Sequence, residues 1–480
     1  MPYSVACKTR NATALLLSTM LSSGFANSAV AQTFAQVTTP PRQVVDERGV
    51  DVISGAATIA ADPTQIGSLG FADSWTGQTN YDGFQGYIAA NGNDRTVFVA
   101  GKSIRFILSG GVYVSVNADG STLTKVNTPE QYTYTASDGA VYHFARMLGS
   151  APNRPVWNVI RAHLQTITHP NGRKQTYNYG LVDGAQVCGH TCYYPAYFRV
   201  QSVTSNDGYM LKADYASAAA GSSYNKLTSV KAIDLSVDYC DPFADSCTSL
   251  VQSWPTKTVT GSTVGSVVTR TLTDEAGNAT DVDLVSSRVT DIDRPATPGN
   301  EATITYDGSG KVATFAEDGA SYGYTYSTTA TTQTTTVTAP DGSTDKYFTD
   351  TTSLRLVSEE DSAGATTSYQ YDASGRQTRK TEPEGNYAHT TYDLRGNITE
   401  VRSVAKPGSG LADITATASY DASCAITAKC NKPNYTIDPA GSRTDLYYDA
   451  NHGELTKIAA AKDYFSNIRA AAPGHGSDHG

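Results

Sequence analysis

The sequence predicts an all-β fold, in which consecutive antiparallel β-hairpin repeats join into an extended, curved or partially closed β-sheet shell. Three observations carry this expectation. Tyr371-Asp372 and Tyr392-Asp393 stand 21 residues apart, and each Asp is followed three residues later by a glycine, Gly375 and Gly396. The glycines Gly364, Gly375, Gly385 and Gly396 fall every 10 or 11 residues, which leaves room for one strand of about 7 residues and one tight turn per period. The chain holds 30 tyrosines and is only 39% hydrophobic, with Thr, Ser, Gly and Asp abundant, a balance that suits half-buried strands better than helices. Alternation such as Thr367-Ser368-Tyr369-Gln370-Tyr371 sends successive side chains to opposite faces of a pleated strand, and a glycine in each polar cluster supplies the positive φ that a hairpin turn needs.

Residues 1–31 read as a secretory signal peptide, outside the fold. Lys8 and Arg10 give a positive start, Ala14 to Phe25 an apolar stretch, and Ala29-Val30-Ala31 an A-x-A motif, so cleavage is expected between Ala31 and Gln32. Ser18, Ser22, Ser23 and Gly24 break the apolar stretch, which falls short of the ~18 residues that span a bilayer. No later stretch is apolar enough to serve as a transmembrane segment. Export predicts a protein that is secreted or held at the cell surface, with the periplasm as the other compartment. Residues 32–45, with Thr38-Thr39-Pro40-Pro41, read as a linker. An N-terminal β domain follows over 46–130. Its alternating runs Arg95 to Val99, Ile104 to Leu108 and Val112 to Val116 read as strands. Gly101-Lys102-Ser103 mimics the end of a phosphate-binding loop, but Thr96 stands where that loop requires glycine.

Over 131–300 the hairpin pattern continues in degenerate form, with turns such as Asn206-Asp207-Gly208 beside tyrosine-bearing strands. Two insertions, Val182 to Tyr197 and Val237 to Ser253, read as surface loops carrying cysteines. After export six cysteines remain, in three near-neighbour pairs: Cys188 with Cys192, Cys240 with Cys247, and Cys424 with Cys430. An oxidising compartment makes local disulfides the simplest account. Each would close a short loop and contribute about 2 kcal/mol in the chain-entropy picture. The competing reading, a metal site at Cys188-Gly189-His190-Thr191-Cys192, lacks the second ligand pair that structural zinc requires.

A clearer array occupies 301–458. It contains Tyr306-Asp307, Tyr371-Asp372, Tyr392-Asp393, Tyr420-Asp421 and Tyr448-Asp449. The units Tyr371-Asp372-Ala373-Ser374-Gly375-Arg376 and Tyr392-Asp393-Leu394-Arg395-Gly396-Asn397 resemble the signature of the Rhs, or YD-repeat, family. Glu382-Pro383-Glu384-Gly385 and Asp438-Pro439-Ala440-Gly441 are similar to the family's alternate turn, and Asp46 to Gly55 is similar to the segment that leads into many secreted members. The resemblance implies a long β-sheet spiralling around a hollow chamber, in which bacterial members wrap a C-terminal toxic segment used against neighbouring cells or hosts. One hairpin cannot bury its own apolar face, so stacking makes each repeat stable. Two departures stand out. The enclosing shells use many more repeats, and the Asp/Pro/Gly-rich core motif of self-cleaving members does not follow Tyr448. Residues 459–480 open with Ala459-Ala460-Ala461 and read as a tail, disordered or a short helix. The expectation is a truncated or degenerate member without the C-terminal core and toxin domain.

Little points to catalysis. The sequence has no G-x-S-x-G elbow and no H-E-x-x-H, and His143, His163, His169, His190, His389 and His452 are scattered, so nothing places a base beside a nucleophile. No enzyme activity and no cofactor are expected. Asp207, Asp307, Asp318 and Asp341, each next to a glycine, invite a calcium reading, yet they come singly at hairpin tips where Asp-Gly turn chemistry accounts for them. Tyr322, Tyr324 and Tyr326 share a strand face, as a sugar-stacking platform or as a cross-strand ladder. Recurrence of Tyr-x-Tyr along the chain favours the ladder. The formal charge of −10, more negative once Lys8 and Arg10 are removed, argues against nucleic acid or an anionic membrane as partner. Two function classes follow. One is a secreted, non-catalytic Rhs-type scaffold, in some form a remnant, whose partner is a protein cargo or toxin segment. The other is an adhesin whose β face or loops bind a cell-surface glycan or protein.

Overall fold

The computed structural model describes residues 44–460 except 61–63, 77–78, 82, 85, 100–101, 117–118, 148–159, 189–191, 194–195, 222, 296–300, 424, 427–428 and 452. The expected signal peptide with its Ala31-Gln32 cut, most of the expected linker and residues 461–480 therefore lie outside the described residues. The fold is all-β. Among the described residues there is no α-helix, and almost every strand is antiparallel to its neighbour in sequence.

Apart from three small sheets of two or three strands, the strands form two kinds of structure that share one sheet. Eight strands, Gly86–Asn91, Asp94–Val99, Lys102–Ser109, Val112–Ser115, Thr122–Asn127, Glu130–Thr135, Val141–Ala145 and Ile160–Thr168, close into a barrel. Closure comes from the last strand, whose first half returns to the first strand with Ala162 opposite Ile88 and His163 opposite Tyr87. The alternation seen in the sequence explains the interior: Ile88, Val97, Ile104, Phe106, Leu123, Tyr132, Phe144 and Leu164 all point to one face and are buried together. Val97 stands opposite Ile88 and Ile104, and Phe144 opposite Tyr132 and Leu164. The barrel runs through residue 130, where the sequence places a boundary between a β domain and degenerate hairpins.

The second half of strand Ile160–Thr168 pairs instead with Lys174–Asp183. From there a ribbon of hairpins runs to strand Leu455–Ala460. Its repeats come back round to the barrel rim: the Gly120 carbonyl accepts a hydrogen bond from Asn431 Nδ2, and a Cβ on Gly120 would stand 2.6 Å from the Arg395 carbonyl oxygen. Ala459 and Ala460, read from sequence as the start of a helix-leaning tail, instead finish this last strand opposite Asp445 and Thr444. Pairing with a formed neighbour outweighs the helix preference of alanine.

The ribbon's two faces differ in chemistry. One carries Val259, Leu272, Val282, Ile292, Ile304, Phe315, Tyr324 and Val337, and Val50, Ala57, Ile59 and Trp75 from the N-terminal segment complete its core. Leu69, Phe71 and Phe84 cover the same sheet further back, over Val200, Val203, Leu211 and Val230. The opposite face is polar, with threonine hydroxyls donating to carboxylates across strands, as Thr269 does to Asp283 and Thr271 to Asp281. Order at the N-terminal end begins earlier than Asp46: Val45 bridges to Asp51, and the Val44 N–H donates to the Asp51 carboxylate.

Candidate functional site

The Tyr-Asp step is a joint between consecutive hairpins. The strand Thr366–Tyr371 ends in a bulge at its tyrosine: Gln370 faces Arg379, but Tyr371 faces Gln377. Asp372 then folds the turn on itself. Its Oδ1 accepts from the Ser374 and Arg376 N–H groups, both at 2.9 Å, while the Gly375 N–H reaches the Asp372 carbonyl. Asp393 does the same for Arg395 and Asn397, and Asp307 for Ser309 and Lys311. A carboxylate of this length satisfies the backbone donors of a short loop, which is why Asp opens the turn. The Ser309 hydroxyl and the Lys311 N–H hold the Asp307 carboxyl below the usual carboxylate range.

The tyrosine reaches backward to the previous hairpin. Tyr371 Oη donates to the Leu356 carbonyl and Tyr392 Oη to the Gln377 carbonyl, each at 2.7 Å, and Tyr306 reaches Val289 at 2.6 Å. Tyr179 and Tyr215 make the same bond to Leu164 and Val200, so the device extends into the degenerate repeats. Over most of these rings sits a cation one residue before the accepting carbonyl: Arg355 over Tyr371 at 5.4 Å, Arg376 over Tyr392 at 4.9 Å, and likewise Lys311 over Tyr326 at 4.5 Å. That cation follows directly on a residue with positive φ, Gly375 before Arg376 and Leu354, at +54°, before Arg355. Arg355 in turn is pressed against Gly375 of the next turn, so this glycine answers both to its φ of +78° and to the absence of room for a side chain. Burial pushes the Tyr306, Tyr371 and Tyr392 hydroxyls up to about 12. The sequence reading placed Tyr371 and Tyr392 as ladder residues and Asp372 and Asp393 at strand ends; it missed the hydroxyl bond and the cation, although the recurring Gly-Arg and Gly-Lys after the turn signalled the latter.

The other two steps are variants. Tyr420-Asp421 has no glycine at the third position, where Cys424 stands. Asp421 instead accepts from Asn434 Nδ2 and pairs with Lys429, and its carbonyl accepts from Arg395. An open hollow of about 780 Å³ lies here, lined by Asp393, Arg395, Tyr420, Asp421 and Tyr435. Of its carboxylates, Asp393 is engaged by its own turn and Asp421 by Asn434 and Lys429. Tyr448-Asp449 keeps the bulge, with Tyr448 opposite Leu455, but its turn is one residue longer and closes at Gly453.

The tyrosine-rich face is occupied by the chain itself. Arg48 lies 3.6 Å from the centre of the Tyr322 ring, and Tyr324 Oη donates to Asp46 at 2.6 Å. Gln333 Nε2 and Thr335 Oγ1 donate to the carbonyls of Ile53 and Val52, and the Val312 N–H to Gly55. Tyr322, Tyr324 and Tyr326 are therefore packed structural groups under a strap of N-terminal residues. Of the cysteine pairs, Cys240–Cys247 is a disulfide and Cys430 is disulfide-bonded, while Cys424 lies outside the described residues. Cys188 and Cys192 face each other in register on two short strands. The Val237 to Ser253 insertion, expected as a surface loop, is clasped to the sheet by Arg199 and the fully buried Lys212, whose amine burial pushes down to about 8. Among the described residues no three His, Cys, Asp or Glu side chains converge on a metal position.

The Rhs repeat model matches residues 352–387, which span the Arg355 cation, the Tyr371 clip and the Asp372 turn. These residues form an Rhs repeat. The chain as a whole matches no curated protein sequence. Among solved structures it is similar to the Photorhabdus luminescens Tc holotoxin pore with a mutation in TccC3, at 11% identity over 85% of this chain and 25% of that one, with a TM-score of 0.34. It is also similar to a TcdB2-TccC3-TEV structure, at 12% identity over 71% of this chain and 21% of that one, with a TM-score of 0.28. The chain thus spans a quarter or less of the length of these structures.

Proposed function

We propose that this Rhs-type β scaffold is a secreted, non-catalytic wall that holds an extended polypeptide against its tyrosine-lined face. The observation that supports the reading is the N-terminal strap. The face takes an irregular segment of chain by three general means: side-chain donors to its carbonyls, an arginine laid on a tyrosine ring, and a tyrosine hydroxyl bound to a carboxylate. None of these needs a particular cargo sequence beyond occasional Arg and Asp. The same face continues past the strap through Tyr369, Tyr371 and Tyr392, which are half-buried. A protein cargo or toxin segment is the partner this chemistry fits, outside the cytoplasm.

Isolation of the tagged protein from the bacterium that makes it, followed by protease treatment, tests the reading. The expected result is a co-purifying polypeptide that resists protease until the ribbon is unfolded. Retention on glycan beads with no protected polypeptide would replace it with the adhesin reading, and turnover of ester, peptide or glycoside substrates would end the non-catalytic claim.

A further inference from the structure

The clasped insertion is built in two layers. Inward, Leu235, Leu250, Trp254 and the Cys240–Cys247 pair pack on Met210 and Ile233. Polar anchors fix the backbone: Lys212 Nζ donates to the Ala244 carbonyl, Ser202 Oγ to Pro242, and Arg199 and Gln201 both to the Asp245 carboxylate. Asp238 holds the far end, accepting from the Val251 and Gln252 N–H groups and from Trp254 Nε1. Outward, four apolar side chains face water: Val237 at 52% exposure, Tyr239 at 75%, Phe243 at 63% and Val251 at 88%.

The inward set already gives the loop its own small core, while the outward four side chains are left largely to solvent. A single exposed apolar residue is ordinary, but several on one fixed loop mark an interaction surface. Fixing the loop beforehand also removes most of the ordering cost of association, and exposed aromatics on a rigid support are the usual energetic anchors of protein interfaces. Charge narrows the partner. Residues 235–254 contain Asp238, Asp241 and Asp245 and no Lys, Arg or His. The cations that meet the loop, Arg199 and Lys212, are buried beneath it, Arg199 paired with Asp245, while Asp241 beside Phe243 is exposed.

We propose that this loop is a docking site for a folded protein partner that receives Phe243 and Tyr239 in an apolar pocket rimmed by Lys or Arg. An anionic lipid surface would be repelled by the acidic rim, and a second copy would bring another chain of charge −10 against it.

The test places a photoreactive benzophenone amino acid at position 239 of the full-length protein, in its producing cells and against neighbouring cells. One protein adduct is expected, with its yield lowered about tenfold by Phe243→Ser and by Asp241→Lys. Adduct formation by Asp241→Lys should return when a basic residue at the mapped partner site is changed to Asp. Unchanged melting and an intact disulfide mass show that each variant is folded. Adducts to lipid, adducts to a second copy of this chain, no adduct, or a protein adduct indifferent to the charge exchange would each overturn the proposal.

Discussion

The barrel of Gly86 to Thr168 and the ribbon of 300 to 460 use the same strands and turns, yet they protect their second face in different ways. The barrel curls until its apolar side chains meet, so Phe106, Tyr132, Phe144 and Leu164 are buried by one another. Beyond the stretch that the N-terminal segment covers, the ribbon is a single sheet. Its strands Gln377–Thr381 and Tyr387–Tyr392 are half-buried throughout, and at Tyr306, Tyr371 and Tyr392 one hairpin is fixed to the one before by a tyrosine hydroxyl and a cation, with an Asp-led turn following. Closure concentrates stability in one cooperative core, whereas the ribbon spreads it over joints that act between neighbours.

Alkaline titration should have the largest effect on this contrast. Tyr306, Tyr371, Tyr392 and Tyr448 are pushed up to about 12 in the folded chain, above the ~10 of an unfolded tyrosine. A raised folded value means that their contribution is whole below pH 10 and is lost as pH rises through 12. Ribbon ellipticity should fall together with the growth of tyrosinate absorbance; tyrosinate without loss of strand signal would show that the clips are dispensable. Next in size is Phe144→Ala, which opens a cavity in the barrel and should cost about 3–5 kcal/mol in urea unfolding, with amide exchange rising in all eight barrel strands. A purely local rise would break the claim of a cooperative barrel. Gly375→Ala should cost about 2 kcal/mol, more than Gly364→Ala, where a Cβ meets nothing within 4 Å, because only Gly375 also lies under Arg355. Tyr392→Phe removes one hydroxyl bond and should cost about 1 kcal/mol, seen as faster exchange confined to strands 377–381 and 387–392. The smallest change is a gain: Leu354→Gly relieves a leucine at φ +54° and should raise stability by up to about 1 kcal/mol.

The turns were legible in the sequence because their chemistry is local. Asp372 acts on residues two and four positions away, so the Tyr-Asp-x-x-Gly pattern holds the information. The strands were legible for the same reason, through alternation. Closure of the barrel was not, because His163 meets Tyr87 across a stretch with no feature that marks its partner. The tyrosine clip stood between: Tyr371 reaches 15 residues back to Leu356, a distance visible only once the hairpin register is known. The strap was hidden altogether, since Asp46 and Tyr324 are separated by 278 residues.

That separation has a consequence in time. At synthesis rates of about 5–20 residues per second, the strap's binding face emerges roughly 15–60 s after the strap itself. Throughout that interval Val50 and Val52, which are fully covered in the finished fold, have nowhere to bury. The strap is thus made before the face that covers it, and it can dock only after the strands carrying Tyr324, Gln333 and Thr335 have been made.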